Sequence, residues 1–138
     1  HVKAILEDVC DEALINIYRY GKVKFSEDSD QKAWAASMNI VYPNHAESDC
    51  GAHINVSSGG VATHSKNRDS VVKLLEFLRQ ERSQHPYSKI NFEYPAKPRF
   101  NPTEELQSWG AFKEDQVPIA TIAKLSRQAQ TMVDRVGW

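Results

Sequence analysis

No run of apolar residues in this 138-residue chain comes near the roughly 20 that a membrane-spanning helix requires. The opening His1-Val2-Lys3 has no apolar stretch behind a charged start, so nothing there reads as a secretory leader. With no initiating Met, the chain reads as a mature product or a processed piece. A surplus of one charge is also missing: 17 basic residues stand against 18 acidic ones, for a net charge of −1. That balance speaks against a nucleic-acid partner, which is held by a positive surplus that displaces counterions. It speaks equally against a polybasic membrane-surface protein. Cysteine is scarce, with only Cys10 and Cys50. They read either as free thiols in a reducing compartment or as one disulfide of an exported protein. In the chain-entropy model, closing that loop would stabilise the fold by roughly 3–4 kcal/mol. There is no internal repeat and no low-complexity segment. What remains is an ordinary soluble composition, 41% hydrophobic and 25% charged, of a length suited to one domain.

Periodicity predicts an α/β chain with few strands. Val2, Ile5, Leu6 and Val9 fall at helical spacing and predict the end of a helix over 2–9. The apolar run 12–17, "EALINI", reads as a buried strand, and Gly21 follows it closely. The acidic loop 26–30, "SEDSD", supplies a cap for a helix carrying Trp34 and Ala35. A second strand is predicted at 38–42, "MNIVY", stopped by Pro43-Asn44. The stretch 53–63, "HINVSSGGVAT", reads as extended, with Gly59-Gly60 marking a bend or hinge. The strongest helical pattern runs over 67–84, with Val71, Val72, Leu74, Leu75, Phe77 and Leu78 on its apolar face. Pro95, Pro98 and Pro102 make 91–102 irregular. Thr103 then caps a short helix reaching Trp109, and Pro118 opens a final amphipathic helix that Gly137 ends. Trp34, Trp109 and Trp138 read as packing residues. Three short extended pieces do not complete a sheet, so the chain reads as part of something larger.

Three groups of side chains could carry chemistry. Tyr18-Arg19-Tyr20 stands just past the first predicted strand; it reads as half-buried aromatics beside a solvated arginine, or as a ligand motif. The loop 45–53, "HAESDCGAH", gathers His45, Glu47, Asp49, Cys50 and His53. It reads mainly as a polar surface loop, since its spacing matches no strong zinc signature. Ser57 or Ser58 with His64 and Asp69 lacks the Gly-x-Ser-x-Gly turn of a serine hydrolase, so no enzyme is predicted. Lys22, Lys24, Lys66 and Arg68 read as solvated charges.

Five stretches taken together resemble a known family: "VKAILEDVCDEALINIYRYGKV", "WAASMNIVYPN", "GAHINVSSGGVATHSKNRDSVVKLLEFL", "NFEYPAKP" and "SWGAFKEDQVPIATIAKLSRQAQTMVDRVGW". In order and across essentially the whole chain, they are similar to the C-terminal half of bacterial periplasmic ferric-iron-binding proteins. Those are the solute-binding components of iron ABC transporters. The resemblance implies part of a two-lobed, hinge-linked type II periplasmic-binding fold whose N-terminal half is absent here. It implies that 1–50 forms a C-terminal-lobe segment with the tyrosine motif and that 51–65 is a hinge or crossover strand. It further implies that 66–99 is a helical segment of the N-terminal lobe and that 100–138 returns to the C-terminal lobe. A periplasmic location and an ABC permease in the inner membrane as partner come with it. So does the need for the missing N-terminal lobe, or a second chain, to complete a site. The export that the resemblance implies also favours the Cys10–Cys50 disulfide.

The family binds Fe(III) through two adjacent tyrosines that follow an Asn and a small residue. Fe(III) is a hard, highly charged acid that prefers anionic oxygen. Free tyrosine titrates near ~10, yet a trivalent ion displaces the proton, as metals do with other ligands. The matching residues here are Asn16-Ile17-Tyr18-Arg19. Tyr18 falls on the first tyrosine, Arg19 on the second, and Tyr20 comes one position late. A guanidinium has no acceptor and cannot ligate a cation. Tyr20 therefore stands as a substitute phenolate. Arg19 stands as the holder of a synergistic anion such as carbonate, a planar bidentate task that arginine suits. The third account is a site that has lost its affinity for iron. In that case the chain is a truncated, non-metal-binding module that pairs with another chain through its open sheet edges.

Overall fold

The computed structural model describes residues 2–137. Among them, local sequence signals resolve into seven α-helices and one π-helical turn, with no strand. The expectations for Trp138, and for the side chains of Val2 and Leu6, lie outside what is described.

Helix α1 (Val2–Leu6) is shorter than the predicted 2–9. Asp8 takes a left-handed φ of 55°, while the amides of Glu7 and Val9 turn back to the carbonyls of Lys3 and Ala4 at 3.1 and 2.9 Å. That ends the helix three residues earlier than its apolar spacing suggests.

Helix α2 (Ile17–Lys24) corrects the first strand prediction. Residues 12–16 are irregular, and Asn16, with ψ 137°, is the extended residue from which the helix starts. Ile17, Tyr20, Gly21 and Lys24 recur at the helical period and form its inward face. The predicted strands at 38–42 and 53–63 are likewise irregular. A strand exists only as a member of a ladder, and among the described residues the sole ladder contact is one parallel bridge between Ala52 and Glu114. The α/β expectation therefore finds only helices in this stretch of chain.

Helix α3 (Ser29–Ala36) carries Trp34 and buried Ala35 as predicted, with the Asp28 carboxylate accepting from the Asp30 amide at 2.8 Å as its cap. The long helix predicted over 67–84 is two helices, α4 (Arg68–Leu78) and α5 (Glu81–Pro86). Gln80 is extended between them, with ψ 150°. Ser83 Oγ and Gln84 Nε2 reach back and donate to the carbonyls of Phe77 and Leu78 at 2.8 and 2.7 Å. They satisfy acceptors that a helix end leaves open.

The π-helical turn Tyr87–Asn91 leads to Phe92, which is left-handed at φ 58°. The chain then runs irregularly to Thr103, as its prolines require. Thr103 Oγ1 caps α6 (Glu104–Ser108) by accepting from the Leu106 amide. Helix α7 (Ile119–Val136) starts behind Pro118 and ends at Gly137, which is left-handed at φ 71°.

The chain divides into two compact units. The first comprises His1–Val41 and Ser57–Ala111. Its core holds Ala35, Phe92, Phe100 and Leu106, with Leu106 fully buried. Ser88 is buried there as well and donates to the Glu93 carbonyl at 2.8 Å. Gly21 packs so closely on Phe92 that a Cβ would lie 2.3 Å from its Cγ, so α2 can approach only with glycine at that position.

The second unit comprises Tyr42–Val56 and Phe112–Trp138. Tyr42 stacks on Phe112 with centroids 4.8 Å apart. The Ala52 amide donates to the Lys113 carbonyl at 2.8 Å, and the Asp115 amide to the Ala52 carbonyl at 2.9 Å. Gly51, at φ 99°, lets the two segments meet: a Cβ there would lie 2.6 Å from the Glu114 carbonyl carbon. Lys113 Nζ donates to the Glu47 carbonyl at 2.9 Å and to the Asp49 carbonyl, pinning the loop between them.

Candidate metal centre

Tyr18, Arg19 and Tyr20 occupy the first turns of α2 rather than the end of a strand. Successive residues of an α-helix are turned by about 100°, so positions two apart point to opposite sides. The structure separates the two tyrosines in this way. Tyr20 lies on the packed face, edge-on to Trp109 with centroids 5.3 Å apart and planes at 80°. Tyr18 is half-buried on the other face. Arg19 Cζ and Lys22 Nζ lie 5.7 and 5.3 Å from its ring centre. One phenol and two cations therefore share the outer face of the helix. Lys22 was legible only as a solvated charge until α2 was seen to be helical, which puts it on the same face as Tyr18, one turn on.

The packed face carries a polar network that sequence reasoning missed. Glu105, on α6, accepts from Trp109 Nε1 at 2.7 Å and also pairs with Lys24 Nζ on α2. Burial pushes the Glu105 carboxyl up. The hydrogen bonds from Lys24 and Trp109, together with the Lys24 charge, outweigh burial and hold it below the usual carboxylate value. Trp109 continues into Phe92 at 5.8 Å, and Phe92 stacks on Phe25 at 5.3 Å. Beside this network is a cleft of about 230 Å³ lined by Tyr20, Lys24, Asn39, Ile40, Ser108 and Trp109. The only sequence signal for it is the Tyr20-to-Lys24 spacing, which carries meaning once the segment is helical.

The other predicted groups do not assemble. His45, Glu47, Asp49, Cys50 and His53 are exposed, and the described residues hold no cluster of three or more such side chains able to bind a metal. Asp49 instead accepts from the Ala46 amide at 3.3 Å within its own loop. Ser57, Ser58, His64 and Asp69 are exposed. Cys10 and Cys50 are both free thiols, so the disulfide that the resemblance favoured is not formed. Among the described residues, no helix is long and apolar enough to cross a membrane.

Helix α2 thus presents a phenol and two cations on one side. The comparisons find relatives that are iron uptake and ferric-iron-binding proteins. The chain is 31% identical over 137 residues to Iron uptake protein A1 of Synechocystis sp., matching 99% of itself and 38% of that protein. Its structure is similar to the open form of Ferric iron-Binding Protein A of Mannheimia haemolytica, with TM-score 0.89, 39% identity, and coverage of 99% of this chain and 42% of that one. It is also similar to the Trichodesmium protein IdiA (FutA) in complex with iron and citrate, with TM-score 0.92, 31% identity, and coverage of 99% and 43%. No protein-family model matches. The chain thus spans about two fifths of the length of these relatives, which fits the C-terminal part that the sequence resembles. Its backbone follows about two fifths of those ferric-binding-protein structures.

Proposed function

We propose that this chain is part of the ferric-iron-binding component of an ABC-type uptake system, located in the periplasm and delivering its cargo to a permease in the inner membrane. The observation that carries the reading is the likeness to a ferric-iron-binding protein along 99% of the chain at TM-score 0.89. In this reading, Tyr18 supplies a phenolate to Fe(III). Arg19 holds a synergistic anion such as carbonate that completes the coordination, with Lys22 on the same face adding positive charge. Tyr20 becomes a second donor only if its ring leaves Trp109. The lobe assignment follows the resemblance: 1–50 in the C-terminal lobe, 51–65 as crossover, 66–99 in the N-terminal lobe and 100–138 back in the C-terminal lobe. The irregular segments 38–42 and 53–63 become strands of an α/β sheet when the remaining part of the fold supplies their ladder partners.

A second reading is favoured by one observation: α7 has no buried residue, and its Leu125, Met132 and Val136 are exposed. An uncovered apolar stripe of that length fits a module that pairs with another chain and binds no metal.

Ferric titration followed in the visible region separates the two, with bicarbonate present and absent. A phenolate-to-iron charge-transfer band that Tyr18→Phe abolishes and that needs bicarbonate supports the first reading. No band in any condition rejects iron binding by this chain and leaves the pairing module.

A further inference from the structure

The Glu105 network has a geometry that neither the resemblance nor the comparisons assign. Glu105 joins α6 to α2 by pairing with Lys24, and the same carboxylate oxygen fixes the indole of Trp109 at 2.7 Å. The fixed indole is the surface against which Tyr20 stands edge-on. Three contacts therefore set the rotation of α2 about its axis: Lys24 on Glu105, Tyr20 on Trp109, and Gly21 on Phe92. All three lie on one side of the helix, and Tyr18, Arg19 and Lys22 lie on the other. We propose that Glu105 and Trp109 are positioning residues that reserve Tyr20 for packing, so that the Tyr18-Arg19-Tyr20 motif presents a single phenol to its ligand. The inference rests on the iron-binding reading for the meaning of that ligand. The lock itself does not depend on iron. It implies that the cargo is taken with one phenolate from this motif, the other donors coming from an anion and from outside the motif.

The test measures the reactivity of each tyrosine towards tetranitromethane in the full chain, mapped by mass spectrometry, with Tyr18 as internal standard. In the unaltered protein Tyr18 should react faster than Tyr20, whose ring is held edge-on to Trp109. Glu105→Ala should raise the Tyr20 rate about fivefold, the change in an equilibrium that loss of one hydrogen bond produces, with Tyr18 unchanged. Glu105→Gln keeps an acceptor for the indole and should hold Tyr20 near its original rate. If Glu105→Ala unfolds the chain, both tyrosines accelerate together. Trp109→Phe, which keeps a ring but has no N–H to anchor, then carries the test and should free Tyr20 selectively. A Tyr20 rate unmoved in both Glu105→Ala and Trp109→Phe overturns the lock, as do equal rates in Glu105→Gln and Glu105→Ala. Ferric titration adds the second arm: Tyr20→Phe should leave the charge-transfer band in place, and its loss would overturn the single-phenol assignment. Absence of any band would reject iron binding while the nitration rates still decide the lock.

Discussion

Helix α6 has five residues and α7 has eighteen, yet the short helix is the better fixed of the two. Five residues are far fewer than an isolated helix needs in water, where nucleation is costly. Contacts hold α6 instead. Leu106 is 0% exposed, Thr103 caps the first turn, Tyr94 Oη donates to the Leu106 carbonyl at 3.2 Å, and Gln107 Nε2 donates to the Pro102 carbonyl at 2.7 Å. Helix α7 has the reverse constitution. It is rich in good helix formers and has a proline before its start and a glycine after its end. None of its residues is buried, and Ile119, Met132 and Val136 are 62%, 66% and 68% exposed. Length and propensity suffice to draw a helix, but only burial ties it to a fold. In this molecule the two properties have been distributed to different helices.

Substitutions can sharpen that contrast or break it. The largest effect is expected for Leu106→Ala, which should cost about 2–5 kcal/mol by leaving a cavity in the first unit. Urea unfolding measures it, and a cost below about 1 kcal/mol would mean that α6 is not held by its core contact. Next comes Glu105. Its folded pKa is depressed, so its contribution is complete above the ordinary carboxylate value of 4.5 and is lost as pH falls through the lower folded value. Stability measured between pH 6 and pH 3 should fall more for the unaltered protein than for Glu105→Gln, by about 1 kcal/mol once solvent screening of the partly exposed pair is allowed for. Parallel acid profiles for the two proteins would remove the network from the account of α6. The smallest effect is predicted for Leu125→Ala on α7, within about 0.5 kcal/mol of zero, as for an exposed site. A loss of several times that amount would show that the α7 stripe is covered in solution, by a second copy or another partner.

Much of this division could be read from the residues. Asp28, Thr103, Pro118 and Gly137 mark helix ends by the chemistry of capping, and each falls where its helix starts or stops. Capping is local, so it survives whatever surrounds the segment. The strands did not survive, because an apolar run such as 12–17 specifies burial without specifying a partner. Helix or strand is then decided by neighbours that the run itself does not contain. The break at Gln80 was hidden for a related reason: the residues that cap α4, Ser83 and Gln84, belong to the next helix. At the candidate site, Tyr18, Arg19 and Tyr20 were visible as chemistry. Their division between two faces was not, since it depends on whether the backbone turns by about 100° or about 180° per residue. Glu105 could not be found from its surroundings in sequence, because its ion-pair partner Lys24 is 81 positions away.

The second unit is made of two stretches of chain that the first unit interrupts, and its Lys113-to-Glu47 contact spans 66 positions. Bringing such distant ends together carries a loop-closure cost of about 4 kcal/mol, (3/2)RT ln n, before any contact across it is rewarded. That sets an order in time. The backbone bonds of helix α7 join residues four apart and can form in microseconds or less, whereas the single rung between Ala52 and Glu114 has to wait for the intervening 57–111 to compact. In refolding, the amides of Ala52 and Asp115 should therefore gain protection from hydrogen exchange after those of α4 and α6.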